Sequence, residues 1–180
     1  TDTGVMRDLG TLRSNNLGRS SALAVSADGA VVVGGAETDN SDSHAFRWDS
    51  VSGAMRDLGT LRSDNSGGSA ATAVSADGAV VVGSAETGDD SRRAFRWDTV
   101  SEEMRDLGSL RSDNSGGSSA TAVSADGAVV VGESDTNEGS SFVPTRLAFR
   151  WAVVSEKMRD LGSLRADNVG VSSTHAPTHL

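Results

Sequence analysis

One five-residue segment, Met-Arg-Asp-Leu-Gly, recurs four times in this 180-residue chain, beginning at Met6, Met55, Met104 and Met158 with spacings of 49, 49 and 54 residues. Three copies of one unit lie between the four occurrences, and what a unit cannot bury by itself it must bury against its neighbours. The order inside each copy is constant: an Arg/Ser/Asn/Gly linker, a stretch of small residues, Ser-Ala-Asp-Gly, a valine run, a polar segment, Ala-Phe-Arg-Trp, and Met-Arg-Asp-Leu-Gly again. The units run over about residues 13–61, 62–110 and 111–164, within one repeat domain covering 1–168.

The four apolar pieces of a unit read as strands. In the second copy, Ala70 to Ser75 is strand one, and Ser75-Ala76-Asp77-Gly78 is a tight turn in which Asp bonds nearby backbone and Gly takes positive φ. Ala79-Val80-Val81-Val82-Gly83 is strand two, and a continuous valine run, unlike an alternating one, means that both faces are covered. Ala94 to Trp97 is strand three, with Phe95 and Trp97 on one face and Arg96 on the other. After a polar turn, Met104 to Leu110 forms strand four. Helical periodicity is absent.

A four-stranded sheet of this size cannot cover two faces alone, but copies packed face to face around an axis cover one another, which is the logic of a propeller blade. The expected fold is therefore all-β: three four-stranded antiparallel blades of β-propeller type, plus a surplus N-terminal strand over residues 5–12. The alanines of strand one fit the crowded position near the axis, although a flat stack or a solenoid also covers both faces. Closed propellers carry four to eight blades, so three call for a supplement. The segment 169–180 begins another strand one and then fails at Pro177. It reads as an incomplete repeat or a frayed tail. The chain is thus expected to be a slice of a longer array, or a protomer whose open faces meet another copy as a closed ring or a filament.

The excess of 25 acidic over 16 basic residues gives a net charge of −9, which disfavours nucleic acid and anionic lipid as partners. No run of about 20 apolar residues exists for membrane insertion. There is no cysteine, so disulfides and thiolate metal sites are excluded. A start at Thr1 with no charged, apolar leader suits a mature product or an excised fragment.

Taken together, Ala-Val-Ser-Ala-Asp-Gly-Ala-Val-Val-Val-Gly, His44-Ala45-Phe46-Arg47-Trp48-Asp49 and Met55-Arg56-Asp57-Leu58-Gly59 resemble the HAF-type extracellular repeat family. The resemblance extends from about Val5 to Asn168. It implies an exported or surface-attached bacterial repeat protein, autotransporter-like in setting, with no enzymatic activity assigned to the repeat. The His of the triplet stands only at His44, with Arg93 and Leu147 at the same place in the other copies, which tells against shared chemistry there.

In an up-and-down meander the long linkers and the strand two to strand three connections emerge on one rim, where binding usually resides. Candidate ligand residues on that rim are Asp64, Asn65, Asp89, Asp90, Asp113, Asn114, Asp135, Asn137 and Glu138. Asp39, Asn40 and Asp42 belong to the same rim in the first unit. The most varied connection, Asp135 to Arg146, holds the five-residue excess of the third copy and is the first place to look for binding. Such oxygens suit calcium, yet no loop has the Asp-x-Asp-x-Asp-Gly order with a downstream Glu, and the bland reading is a solvated acidic rim with Asp-Asn turn formers. No cofactor is expected.

No catalytic residue stands out. His44, His175 and His179 share no zinc-ligand spacing, and no nucleophile elbow or phosphate-cradling glycine loop is present. Arg47, Arg96 and Arg150 of strand three are expected to pair with Asp57, Asp106 and Asp160 of strand four as blade-stabilising ion pairs. Trp48, Trp97 and Trp151 occupy equivalent core positions, leaving few aromatic platforms for sugars. The reading is a non-catalytic extracellular or cell-surface module, structural or adhesive, whose partner is itself. The alternative is a lectin-like or calcium-assisted propeller that binds a surface glycan or protein.

Overall fold

Each Ser-Ala-Asp-Gly segment closes a hairpin. In the middle copy the Ser75 hydroxyl donates to Asp77 (2.6 Å) and accepts from the Val80 N–H (2.9 Å). Asp77 also accepts from the Ala79 N–H (3.0 Å), and Gly78 takes φ +72°. Ser26 with Asp28 and Ser124 with Asp126 repeat the arrangement.

A computed structural model describes residues 4–140 and 143–162. These contain no helix and twelve strands: β1 (Ser20–Val25), β2 (Val31–Glu37), β3 (Ser43–Asp49), β4 (Met55–Asp57), β5 (Ser69–Val74), β6 (Val80–Glu86), β7 (Arg92–Asp98), β8 (Met104–Asp106), β9 (Ser118–Val123), β10 (Val129–Ser140), β11 (Val143–Ala152) and β12 (Lys157–Asp160). They form three four-stranded antiparallel meanders, β1-β2-β3-β4, β5-β6-β7-β8 and β9-β10-β11-β12, as the repeat predicts. Strand one meets strand two through a bulge in each sheet, such as that between Ala71 and Ala73. A side chain at Gly83, opposite this bulge, would meet the Ala70 carbonyl at 2.0 Å, so only glycine fits there.

The sheets stack face to face. Val33, Ala45 and Leu58 of the first pack on Val81, Phe95 and Trp97 of the second. Val82, Ala94 and Leu107 of the second pack in the same way on Val130, Phe149 and Trp151 of the third. Val80, Val81 and Val82 are all buried, Val81 towards one neighbour and the flanking valines towards the other, which is why the run does not alternate. Each such side chain contributes roughly 1.5–3 kcal/mol by leaving water. Strand one of each sheet meets strand one of the next, in line with the small alanines placed there.

Polar bonds repeat at both joints. Ser69, at the start of β5, accepts from the Ala45 N–H (2.8 Å) and donates to the Gly59 carbonyl (2.5 Å). Ser118 does the same with Ala94 and Gly108. The Arg56 guanidinium lies 5.2 Å from the Trp97 ring centre and pairs with Glu102 at 2.6 Å. Arg105 lies 5.8 Å from Trp151 and pairs with Glu156 at 2.7 Å.

Several expectations need correction. Residues 5–12 carry no strand, because no strand three lies beside them to complete a ladder; instead Arg7 lies 5.2 Å from the Trp48 ring, while Leu9 and Leu12 pack on Phe46 and Trp48. Strand four ends at Asp106 rather than Leu110, where Gly108 turns the chain at φ +80°. The third copy's excess does not form a loop from Asp135 to Arg146. Those two residues are paired across β10 and β11, and the hairpin arms run on to Ser140 and Val143. The segment 169–180 lies outside the described residues.

The anticipated ion pairs also differ. Asp106 lies opposite Phe95, and directly opposed residues share a face, so Arg96 points the other way. Asp106 pairs with Arg93 at 3.0 Å, and its counterpart Asp57 pairs with His44 at 2.9 Å. Arg96 pairs with Asp98 and Arg47 with Asp49, each two residues along its own strand and therefore on its own face. In the third copy Ala152 replaces that aspartate.

Candidate functional site

Two regions are candidates for function: the loop rim and the two outer faces of the sheet stack. The rim forms as the meander requires, since each linker is tied to the connection between strands two and three of its own unit. Ser14 bonds Asp39 (3.0 Å), Arg62 pairs with Asp90 (2.6 Å), and the Ser112 N–H donates to Asn137 (3.2 Å).

The rim residues singled out in the sequence lie on this edge, and those whose side chains are described are held by their own chain. Asp64 and Asp113 accept from the N–H and hydroxyl two residues on, at Ser66 and Ser115. The Ser115 N–H and hydroxyl pull the Asp113 carboxyl down to about 2. Asn65 and Asn114 adopt φ near +55° and accept from the N–H groups of Thr60 (2.9 Å) and Ser109 (2.7 Å). Asp89 bonds Thr87, Ser91 and Arg93. Asp135 accepts from the Gly117 N–H (2.8 Å) and from Arg146 (2.9 Å). The Glu138 side chain lies outside those described. Among the described residues, no three His, Asp or Glu side chains come together in a group able to hold a metal ion.

His44 is the most unusual titratable group on this edge. It is buried, its Nδ1 meets Asp57 at 2.9 Å, and its Nε2 has no hydrogen-bond partner among the described residues. The hydrogen bond to Asp57 raises the imidazole pKa against the opposing effect of burial. Arg93 fills the equivalent place in the second copy and reaches both Asp106 and Asp89.

The outer faces carry a clearer signal. Ala71 and Ala120 are fully buried at the joints, whereas their counterpart Ala22, on the outer face of the first sheet, is exposed. An open groove of about 510 Å³ runs beside it, bounded by Met6, Leu9, Ser20 and Phe46. On the outer face of the third sheet, Leu161 is 59% exposed, while its counterparts Leu58 and Leu107 are 7% and 6% exposed. Ala148 is likewise exposed where Ala45 and Ala94 are buried. The joint-forming serines, Arg–Trp contacts and alanine turns escaped the sequence reading; their signal was the recurrence of Ser20, Ser69 and Ser118 ahead of strand one and of an Arg after each repeat Met.

No protein-family profile matches this chain, and no curated protein does. Solved structures do. The crystal structure of TolB from Acinetobacter baumannii superposes with a TM-score of 0.53 at 14% identity, covering 82% of this chain and 33% of that one. The structure of putative TolB from Agrobacterium tumefaciens gives 0.56 at 18% identity, covering 77% and 44%. An oligogalacturonate lyase from Vibrio parahaemolyticus gives 0.49 at 10% identity, covering 76% and 37%. The chain thus spans a third to under a half of the length of these proteins. At the identities of the two TolB structures the likeness is one of fold alone, a propeller-like all-β arrangement of stacked sheets.

Proposed function

We propose that this chain is a non-catalytic repeat module of the bacterial cell exterior, structural or adhesive in role, which assembles with copies of itself through the outer faces of its sheet stack. The observation that carries the reading is that Ala22, Ala148 and Leu161, exposed at the two ends, occupy the positions at which the internal joints bury Ala71, Ala94 and Leu107. An outer face that leaves exposed the apolar residues which the internal joints bury is a face for association. The motif resemblance to HAF-type extracellular repeats supports an exported setting. The ligand-binding alternative has less support, because the described rim candidates are engaged with their own chain.

Sedimentation velocity over a concentration series tests the reading. Self-assembly gives a mass that rises with concentration or a discrete oligomer; a single monomeric species throughout overturns it. Protease digestion of intact cells tests placement, since a surface module is cleaved and an internal one is spared.

A further inference from the structure

We infer that copies join head to tail: the outer face of the third sheet in one copy receives the outer face of the first sheet in the next, repeating the joint found twice inside the chain. This rests on the self-assembly reading and adds a polarity and a register to it.

The first support is that the two ends present the two different sides of an internal joint. The third sheet shows the side that Val33, Ala45 and Leu58 form in the first sheet, through Val131, Ala148 and Leu161. The first sheet shows the side that Ala71 and Val81 form in the second, through Ala22 and Val32. Internal joints always set the former kind of side against the latter.

The second support is directional. The Ala27 N–H donates to the Ala76 carbonyl (3.0 Å), and the Ala76 N–H donates to the Ala125 carbonyl (3.0 Å), so a one-way hydrogen-bond chain crosses the sheets at their Ser-Ala-Asp-Gly turns. Among the described residues it leaves a donor, the Ala125 N–H, at one end and an acceptor, the Ala27 carbonyl, at the other. Joining head to tail brings donor to acceptor; front-to-front contact sets carbonyl against carbonyl.

The third support is steric. A side chain at Gly78 would meet Val31 of the preceding sheet at 2.5 Å, and one at Gly127 would meet Val80 at 2.5 Å, whereas one at Gly29 would meet nothing within 4 Å among the described residues. Gly29 keeps the form of a joint residue with no valine against it. Val129 of another copy is the matching surface.

Joining requires one exchange. The seat over Trp48 is occupied by Arg7, and the donor copy presents the same five residues at 158–162. Residues 6–10 of the receiving copy therefore yield to an identical segment. Like contacts replace like, so the net drive comes from the apolar surface newly covered on strands one to three, against the entropy cost of association.

Two substitutions at exposed positions test this without disturbing the folded monomer: Ala22→Asp on the first sheet and Ala148→Asp on the third. Both variants are expected to melt like the wild-type monomer. Each alone is expected to sediment as a monomer where the wild type associates, and an equimolar mixture is expected to give a species of twice the monomer mass, because each supplies the face the other lacks. A mixture that stays monomeric beside an associating wild type overturns the joint. If Ala148→Asp dimerises alone and Ala22→Asp does not, the contact is front to front, and the polarity falls while self-assembly stands. A wild type that is monomeric at every concentration, its end covered by its own continuation or by nothing, removes self-assembly itself.

Discussion

Arg93 Nη1 and Asp106 Oδ2 meet at 3.0 Å across neighbouring strands of the central sheet, whereas Arg96, only three residues along, turns its back on the same carboxylate. A double-mutant cycle separates the two arrangements. Arg93→Ala with Asp106→Ala should show a coupling of about 0.5–1 kcal/mol or more in urea denaturation, and Arg96→Ala with Asp106→Ala a coupling near zero. Additivity in the first cycle would remove the pair from the account.

Ser69 and Ser20 are the same residue of the repeat in different settings, one buried at a joint and one exposed at the end. Ser69→Ala strips a partner from the Ala45 N–H and the Gly59 carbonyl, and should cost about 1–3 kcal/mol. Ser20→Ala should leave the melting of the monomer unchanged. Equal effects would mean that the bond is not what holds the joint.

Gly29 and Gly78 share positive φ, so alanine at either pays the left-handed backbone penalty of roughly 1–2 kcal/mol. Only at Gly78 does the new methyl also strike Val31, adding roughly 1–3 kcal/mol of overpacking. Thermal denaturation of both variants at low protein concentration should rank Gly78→Ala below Gly29→Ala. The reverse order would contradict the stacking.

Arg56→Ala should destabilise the chain by about 0.5–1 kcal/mol through loss of the contact with Trp97. Near-ultraviolet dichroism of the tryptophans should change with it. Lysine at this position keeps the charge but not the planar stack, and should recover only part of the loss.

Stability should depend on pH through His44. Its folded pKa is raised by Asp57, so the stabilisation is complete below the ordinary imidazole value of about 6.5 and is lost as pH climbs through the folded value. The carboxylates facing it are Asp57 and Asp42, with Gly67 supplying backbone from the next linker. His44→Arg, which installs the residue of the second copy, should flatten this slope in melting curves taken upward in pH from the ordinary imidazole value. A slope that survives the substitution would assign it to another group. On the acid side, depressed carboxylates such as Asp77, held by Ser75, and Asp113, held by Ser115 and lowered to about 2, act in the opposite sense: their contribution is present above the ordinary Asp pKa and is lost as pH falls through each folded value.

Much of the architecture was legible because it rests on local chemistry. Ser75-Ala76-Asp77-Gly78 makes a turn wherever it stands, and Val80-Val81-Val82 needs cover on both sides wherever it stands. The partner of Arg96 was not legible. Its choice depends on the register of β7 against β8, and a one-residue slip moves every side chain to the other face. The third copy's polar segment misled for a related reason: Asp135 and Arg146 read as loop residues by composition, but once β10 and β11 are paired their backbones extend the ladder and their charges pair across it. Whether the oxygens of the rim candidates face a ligand or their own backbone was not legible either, because it depended on bonds such as Asn65 to Thr60, which follow only from the folded path of the linker.

By itself the sequence determined the unit, its four strands and their order, because hydrophobic period and turn residues act within a few positions of one another. The tertiary structure decided which side of each sheet faces which neighbour, and so made Ala71 core and Ala22 surface from the same repeat position. Burial belongs to the stack and not to the unit, and that difference between identical residues is what gives the two ends of the chain opposite characters.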